Sequence, residues 1–463
     1  MLSFLAGRAK FCDGITRREA LRVGGLGALS WPGSQGLAQA SSSTAGLPRF
    51  GRAKSVVLVT LYGGPPQTET FDMKPGAPVE ARGPFRPIRT NMVDLHICEH
   101  LPRLSGMADK YTLVRSFNHT NSAHGGGIYT FLTGWPYPIE NQNFPSRPED
   151  HPHYGAVVDA LRPRTPGVPT STVVGGMILP QFLGPGQTGG YLGKTHNPFF
   201  ANSNLNDDRP ATDLLKLRSG VPAVRMENRH QLLDQLRQTQ QLLDKNRKTT
   251  GFSVVQQQAR NLIDSQQFMA AFDVGQEPDA ARERYGESFL GQNMLLARRL
   301  VEVEVPVIQV SDIPLSGEQH WDLHYANIFD RLKDQLLPNL DRSVSALLSD
   351  LDERGLLDQT LVVVGGEFGR TPWIDHLSNP PQGGRQHWPH VYSMLLAGGG
   401  IRRGEVYGQS DEIAAYPVSR RIAPCDLAAT IFHLMGVDPG IQVRCRDGRM
   451  RPVCRGQVID GII

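Results

Sequence analysis

Three short segments hold the residues best suited to chemistry. In the first, Leu361-Val362-Val363-Val364 runs into Gly365-Gly366, followed by Glu367, Phe368, Gly369 and Arg370. A short apolar run of this kind reads as a strand buried on both faces, and glycines permit a sharp turn at its end. Glu367 therefore stands where an open α/β sheet presents ligands, just past the carboxyl end of a strand. The second segment is His320-Trp321-Asp322-Leu323-His324. Asp322 and His324 are two residues apart, so an extended chain turns both toward one cavity, with His320 as a third candidate. A carboxylate with imidazoles suits zinc, manganese or iron, whereas all-oxygen sites suit calcium or magnesium. Ordinary polar residues leading into a helix are the alternative. The third segment is Gly383-Gly384-Arg385-Gln386-His387-Trp388-Pro389-His390. His387 is open to three roles: metal ligand, substrate contact or structural residue. His390 is a lesser candidate.

Other residues could assist such a centre. The guanidinium groups of Arg370 and Arg385 match sulfate or phosphate bidentately, though salt bridges to loop carboxylates would use them as well. His119-Thr120-Asn121 and His124 lie in a polar, Gly-flanked loop before a helix. Backbone amides there could cradle an anion, and an imidazole there could act as nucleophile or metal ligand, or simply build the loop. Glu69 and Asp72 follow the first strand, and Asp72 could equally cap the loop at Lys74-Pro75.

The elements that must position these residues alternate in type. Residues 55–61, 111–115, 172–174, 305–310, 361–364 and 392–397 read as strands. Residues 127–132, 154–161, 328–351 and 426–435 read as helices, the longest ending at Arg354-Gly355. Helical spacing at Leu232, Leu233, Leu236, Leu242 and Leu243, with the stretches 256–272 and 288–300, suggests a helical insertion at about 225–300. Such alternation implies a mostly parallel sheet covered on both faces.

The mature chain is expected to be one large domain over residues 51–463. Its 39% apolar and 20% charged residues are those of a folded globular protein. With 48 basic against 45 acidic residues there is no global pull toward nucleic acid or anionic membranes. Residues 1–40 read as a twin-arginine signal peptide. Arg17-Arg18 precedes a weakly apolar run, and Ala38-Gln39-Ala40 has the small-x-small pattern of a cleavage site. Residues 41–50 then form a Ser-rich linker. Export to the periplasm or medium is expected, with no membrane span after signal removal. Cys445 and Cys454 could close a small disulfide loop or be unrelated thiols.

Taken together, Gly63-Gly64-Pro65, Thr70-Phe71-Asp72-Met73-Lys74-Pro75, Trp321-Asp322-Leu323-His324, residues 366–372 and His387-Trp388-Pro389 resemble the secreted DUF1501 family. That family is similar to the alkaline phosphatase and sulfatase superfamily. The resemblance implies an alkaline-phosphatase-like three-layer α/β/α sandwich with its site at the carboxyl edge of the sheet. It implies one or two divalent metals (zinc, calcium, manganese or magnesium), held by Asp322, His324, Glu367 and His387. Residues 122–134 resemble the sulfatase nucleophile loop with its Leu-Thr-Gly ending, which puts His124 at the nucleophile position. The Ser or Cys and the Arg of that loop are absent, and Tyr62-Gly63-Gly64 replaces the superfamily's strand-end aspartates. Two functions follow as expectations. One is a secreted metal-dependent hydrolase of sulfate or phosphate esters acting on an anionic ester or glycan. The other is a catalytically impaired relative that binds anions or glycans, or serves in assembly.

Overall fold

In the computed structural model, residues 48–139, 143–176, 178, 183–201, 257–262, 264–313, 321–322, 324–325, 328–375 and 383–463 are described. The apolar, β-branched runs of the sequence become the centre of an eight-stranded sheet. Its strands are β1 (Ser55–Thr60), β2 (Tyr111–Phe117), β3 (Ser171–Gly175), β4 (Phe199–Phe200), β5 (Val307–Ser311), β6 (Thr360–Gly365), β7 (Tyr392–Ala397) and β8 (Glu405–Tyr407). Their spatial order is β8-β2-β7-β6-β1-β5-β3-β4. β1 pairs in parallel with β5 and β6, as Val56↔Val307 and Leu58↔Val363. β7 runs antiparallel to both neighbours, with Leu395 opposite Val364 and Leu113. The sheet is thus mostly parallel, with one reversed strand inside it.

Alternate residues of each central strand point to opposite faces. Val57, Val59, Ile308, Val310, Val362 and Val364 enter one core with the helices α3 (Phe289–Glu302) and α4 (Leu337–Glu353). Val56, Leu58, Val307, Leu361 and Val363 enter a second core with α1 (His124–Thr133), α2 (Tyr154–Leu161) and α5 (Pro424–Leu434). Helices on both faces of one sheet make the expected three-layer α/β/α sandwich. Each of these buried Val or Leu side chains contributes roughly 1.5–3 kcal/mol by leaving water, so the sheet is a rigid base for the loops at its edge.

Several expectations change in detail. The helix placed at 127–132 begins at His124 and takes all three glycines into its first turn. The helix placed at 328–351 is interrupted by a π turn, Leu332–Leu336, in which Leu337 N–H reaches Leu332 O. Pro338 follows it, and a wider turn accommodates a proline ring that would clash with the carbonyl four residues back. Within the expected insertion, helices occupy Gln266–Ala271, Asp279–Tyr285 and Phe289–Glu302. The Leu-rich stretch 227–247 lies outside the described residues, as do the signal segment and most of the linker. Cys445 and Cys454 are both free and sit at opposite ends of the hairpin Gln442–Arg444/Met450–Pro452, so they do not pair. No helix among the described residues is long and apolar enough to cross a membrane.

Candidate metal centre

Four segments converge at the carboxyl edge of β1 and β6. His124 is the first residue of α1, Glu367 lies two residues past β6, Asp322 and His324 follow β5, and His387 sits in the two-residue strand His387–Trp388. That strand pairs with Gly369–Arg370, with His387 opposite Arg370. Trp321 fixes the Asp322 segment. It is buried, its N–H donates to Tyr62 O at 3.1 Å, and its indole N–H donates to Asp312 Oδ2 at 2.8 Å.

Two glycines let these segments come close. Gly63 adopts φ +114°, and a Cβ there would lie 2.1 Å from the Asp322 nitrogen. Its N–H donates to Glu367 Oε1 at 2.9 Å. A Cβ on Gly127 would meet Glu367 Cβ at 3.1 Å. Glycine is a poor helix residue, and here it lets α1 lie directly against the Glu367 loop.

Asp322 is the hub. Its Oδ1 lies 2.7 Å from His324 Nε2, 2.8 Å from His387 Nε2 and 2.8 Å from Arg370 Nη2. Its Oδ2 lies 3.0 Å from His124 Nε2. The other nitrogen of His124 is 2.7 Å from Glu367 Oε1. Burial lowers the pKa of His124, but the carboxylates of Asp322 and Glu367 beside it more than offset this and bring it up to about 9. Asp322 is also desolvated, which works to raise its pKa, yet contacts from His124, His324 and His387 hold it well below the ordinary carboxylate range.

His387 supplies the sharpest test of whether a cation fits. Its Nδ1 faces Ser122 O at 2.8 Å, and a carbonyl only accepts, so Nδ1 carries the proton. Burial, ahead of the Asp322 contact that opposes it, lowers the pKa of this imidazole and favours the neutral ring. Nε2 faces Asp322 Oδ1 at 2.8 Å, a contact that a proton or a bound cation can bridge. Buried polar atoms nearby also lack hydrogen-bond partners. His124 Nε2 is close to Asp322 but poorly aligned with it, and the hydroxyls of Tyr62 and Tyr392 are unpaired. Donor atoms of His124, Asp322 and His387 all lie within 4.8 Å of one another. Two imidazoles and a carboxylate form a donor set suited to zinc or manganese. His324 adds a third imidazole at the rim, its Nδ1 held by Gln386 at 2.7 Å. Nothing in the sequence singles out Gln386.

The remaining expected site residues go elsewhere. Arg370 is fully buried and donates to Gly64 O, Arg385 O, Gly63 O and Trp321 O as well as to Asp322. Arg385 is equally buried. It pairs with Glu69 at 2.6 Å and donates to Thr371 O, Pro372 O and Ala81 O. Both guanidinium groups are saturated by protein atoms, so neither is the anion clamp expected of it, and Glu69 is spent on Arg385. Asp72 pairs with Lys74 at 3.0 Å and accepts from the Ser410 hydroxyl, away from the cluster. His119 holds the loop from behind, with Nε2 2.5 Å from Glu367 O and Nδ1 accepting from Asn121 N–H. His390 packs on Trp388 and Tyr416. His320 lies outside the described residues. A groove of about 1540 Å³, lined among others by Asp159, His196 and Arg446, contains no residue of the cluster.

Over residues 53–463 the chain matches the family described as "Protein of unknown function (DUF1501)", and it belongs to that family. No curated protein sequence matches it. Among solved structures it is similar to the alkaline phosphatase from the Antarctic bacterium TAB5, with 13% identity, 84% of this chain and 99% of that chain covered, and a TM-score of 0.39. It is similar to the phosphonate monoester hydrolase SpPMH from Silicibacter pomeroyi, with 12% identity, 87% and 75% covered, and a TM-score of 0.36. It is also similar to the PsFucS1 sulfatase from Pseudoalteromonas sp., with 12% identity, 84% and 68% covered, and a TM-score of 0.35. At this distance the relatives' chemistry does not transfer residue by residue.

Proposed function

We propose that the protein is an exported, metal-dependent hydrolase of sulfate or phosphate esters. The observation that carries the reading is the convergence of His124, Asp322, His324 and His387 on one point, with donor atoms of His124, Asp322 and His387 all within 4.8 Å of one another. His124, Asp322 and His387 would hold the metal, with His324 beside them. A bound divalent ion would polarise the ester oxygen and lower the pKa of a water.

The chain's own groups then have defined tasks. Glu367 takes a hydrogen bond from Gly63 N–H and holds His124 Nδ1, fixing the ring. The Ser122 carbonyl fixes the His387 tautomer. Glu367 holds Nδ1 of His124, which leaves Nε2, beside Asp322, as the atom that would bind the metal, so the reading gives His124 a place in the metal set instead of the nucleophile role suggested by its place in the loop. The reading assigns attack to water.

A second reading is favoured by one observation: Arg370 and Arg385, the two cations nearest the cluster in sequence, are closed off from any substrate. A binding protein for an anionic ligand or glycan needs no nucleophile and no arginine for transition-state charge. Metal analysis of the purified protein with assay on aryl sulfate and aryl phosphate separates the two. Bound metal, with hydrolysis abolished in His387→Ala, supports the hydrolase. Bound metal without hydrolysis supports the binder, and no metal overturns the hydrolase and leaves the binder standing. Export rests on Arg17-Arg18 and Ala38-Gln39-Ala40. Replacing both arginines by lysine should leave the precursor in the cytoplasm, and unchanged export would refute the route.

A further inference from the structure

A second feature stands apart from the metal centre and does not depend on it. At the edge of the sheet, between β2, the turn after β8 and the loop that follows β1, lies a polar pocket of about 470 Å³ that shares no residue with the cluster. Lys74, Arg115 and Arg420 line it, with Asp72 as its single carboxylate.

The charge of Asp72 is already committed. Its Oδ2 accepts from the Ser410 hydroxyl, and its Oδ1 lies 3.0 Å from Lys74 Nζ and 3.7 Å from Arg115 Nε. Lys74 and Arg115 share this one anion, and with Arg420 also lining the space the described residues leave two positive charges in a small polar cup. Arg115 projects from the middle of β2, and its side chain is 19% exposed. Its Nη2 donates to His96 O at 3.2 Å, while its Nε is buried with no hydrogen-bond partner. Burial lowers the pKa of this guanidinium, with Asp72 opposing. A buried guanidinium N–H without an acceptor is costly, and an anion in the pocket would relieve that cost.

The third cation is held at the rim. Arg420 is exposed, and its guanidinium rests 4.9 Å above the Tyr407 ring. It is one of few non-glycine residues with positive φ, at +46°, and the turn is pinned by Ser116 Oγ–H donating to Arg420 O at 2.6 Å. Lys74, Arg115 and Arg420 thus offer several N–H donors to one space, and the acceptor oxygens of a phosphate or sulfate can engage more of them than the two of a carboxylate.

We infer that this pocket binds a tetrahedral oxyanion, phosphate or sulfate, between Lys74, Arg115 and Arg420. The group could arrive as the free ion or as the ester head of a larger molecule.

The test is calorimetric titration of inorganic phosphate into the full chain at low ionic strength, after chelation and dialysis so that the metal centre takes no part. Saturable binding to one site is expected. Lys74→Gln and Arg420→Gln should each weaken it about tenfold or more, since each removes one charge-assisted contact. His387→Ala should leave it unchanged. Arg420 is exposed, so Arg420→Gln is expected to fold, with circular dichroism and Tm as the control. Glucose 6-sulfate and glucose 6-phosphate as competitors distinguish the sources. Competition shows that esters enter, and its absence restricts the site to the free ion. Any one of three results overturns the inference: no saturable binding at millimolar phosphate, affinity unchanged in both variants, or acetate binding as tightly as phosphate.

Discussion

Replacing Asp322 by asparagine tests the metal centre most directly, because the substitution keeps the shape and removes the charge together with one acceptor oxygen. Asp322 faces three imidazoles and Arg370 at 2.7–3.0 Å. Arg370 is fully excluded from solvent, and among the described residues its other partners are carbonyls and Asp322 is its one directly bonded carboxylate. In Asp322→Asn that guanidinium keeps its charge without its bonded counter-charge, and breaking a buried pair in this way costs about 3–5 kcal/mol. Against a typical stability of about 5–15 kcal/mol the variant should still fold, with less margin. The second consequence is separate. Wild-type protein should gain about 4 kcal/mol when metal is present at roughly a thousand times its Kd, and Asp322→Asn should gain far less. The assay is thermal or denaturant unfolding with chelator, zinc or manganese, alongside metal content by mass spectrometry. The double variant Asp322→Asn/Arg370→Met tells the two effects apart, since it should recover stability without recovering metal. Wild-type protein that neither holds metal nor shifts on its addition would refute the reasoning, as would Asp322→Asn binding metal as the wild type does.

Three further outcomes follow from the geometry. His153 is fully buried, accepts Gly155 N–H at Nδ1 and faces Gln309 Oε1 from Nε2, and burial takes its pKa from 6.5 down to about 4. The unfolded chain takes up this proton near pH 6.5 and the folded chain only near 4, so the contribution, about 3 kcal/mol, is present above pH 6.5 and lost as pH falls toward 4. Denaturant titrations of His153→Asn should show a smaller loss over that window than wild type, and an equal loss would refute the assignment. Gly63→Ala places a methyl 2.1 Å from the Asp322 nitrogen at a φ of +114°, so destabilisation of at least about 3 kcal/mol and loss of bound metal are expected; wild-type Tm and metal content would show that the loops do not pack this way. Arg385→Ala strands the buried Glu69 carboxylate and should cost about 3–5 kcal/mol, with Glu69→Gln in the same chain restoring part of it. No change in unfolding midpoint would remove Arg385 from its structural role.

What the sequence made legible was whatever depends on local pattern. The Leu361–Val364 run and its glycine stop announce a central strand and place Glu367 beyond its end. The spacing of Asp322 and His324 announces a pair able to share a cavity, and His387 follows from its own glycine-flanked segment. The reversed direction of β7 left no such trace, because an apolar run reads alike in either direction. The start of α1 was missed because three successive glycines argue against a helix. Neighbours across the loop supply the reason for two of them, since a Gly127 Cβ would lie 3.1 Å from Glu367 Cβ and a Gly126 Cβ 2.2 Å from Asn121 Nδ2.

The arginines show why charge in a sequence does not by itself declare function. Arg370 follows a strand-end glutamate, and Arg385 stands two residues before a candidate ligand, so both look placed for an anion. Whether a guanidinium faces substrate depends on how many carbonyls surround it, and those carbonyls come from distant segments. Arg370 receives Gly63 and Gly64 from the loop after β1, Trp321 and Asp322 from the segment after β5, and Arg385 from the segment before β7. One fully buried side chain thereby ties together the loops that carry the candidate ligands. Its bonds fix where Asp322 stands, and Asp322 in turn sets the distances to all three imidazoles. The arginine that pattern alone would assign to substrate is instead the strut of the site, and under the proposed hydrolase reading transition-state charge stabilisation would fall to a bound metal and to the polar atoms that Arg370 holds in place.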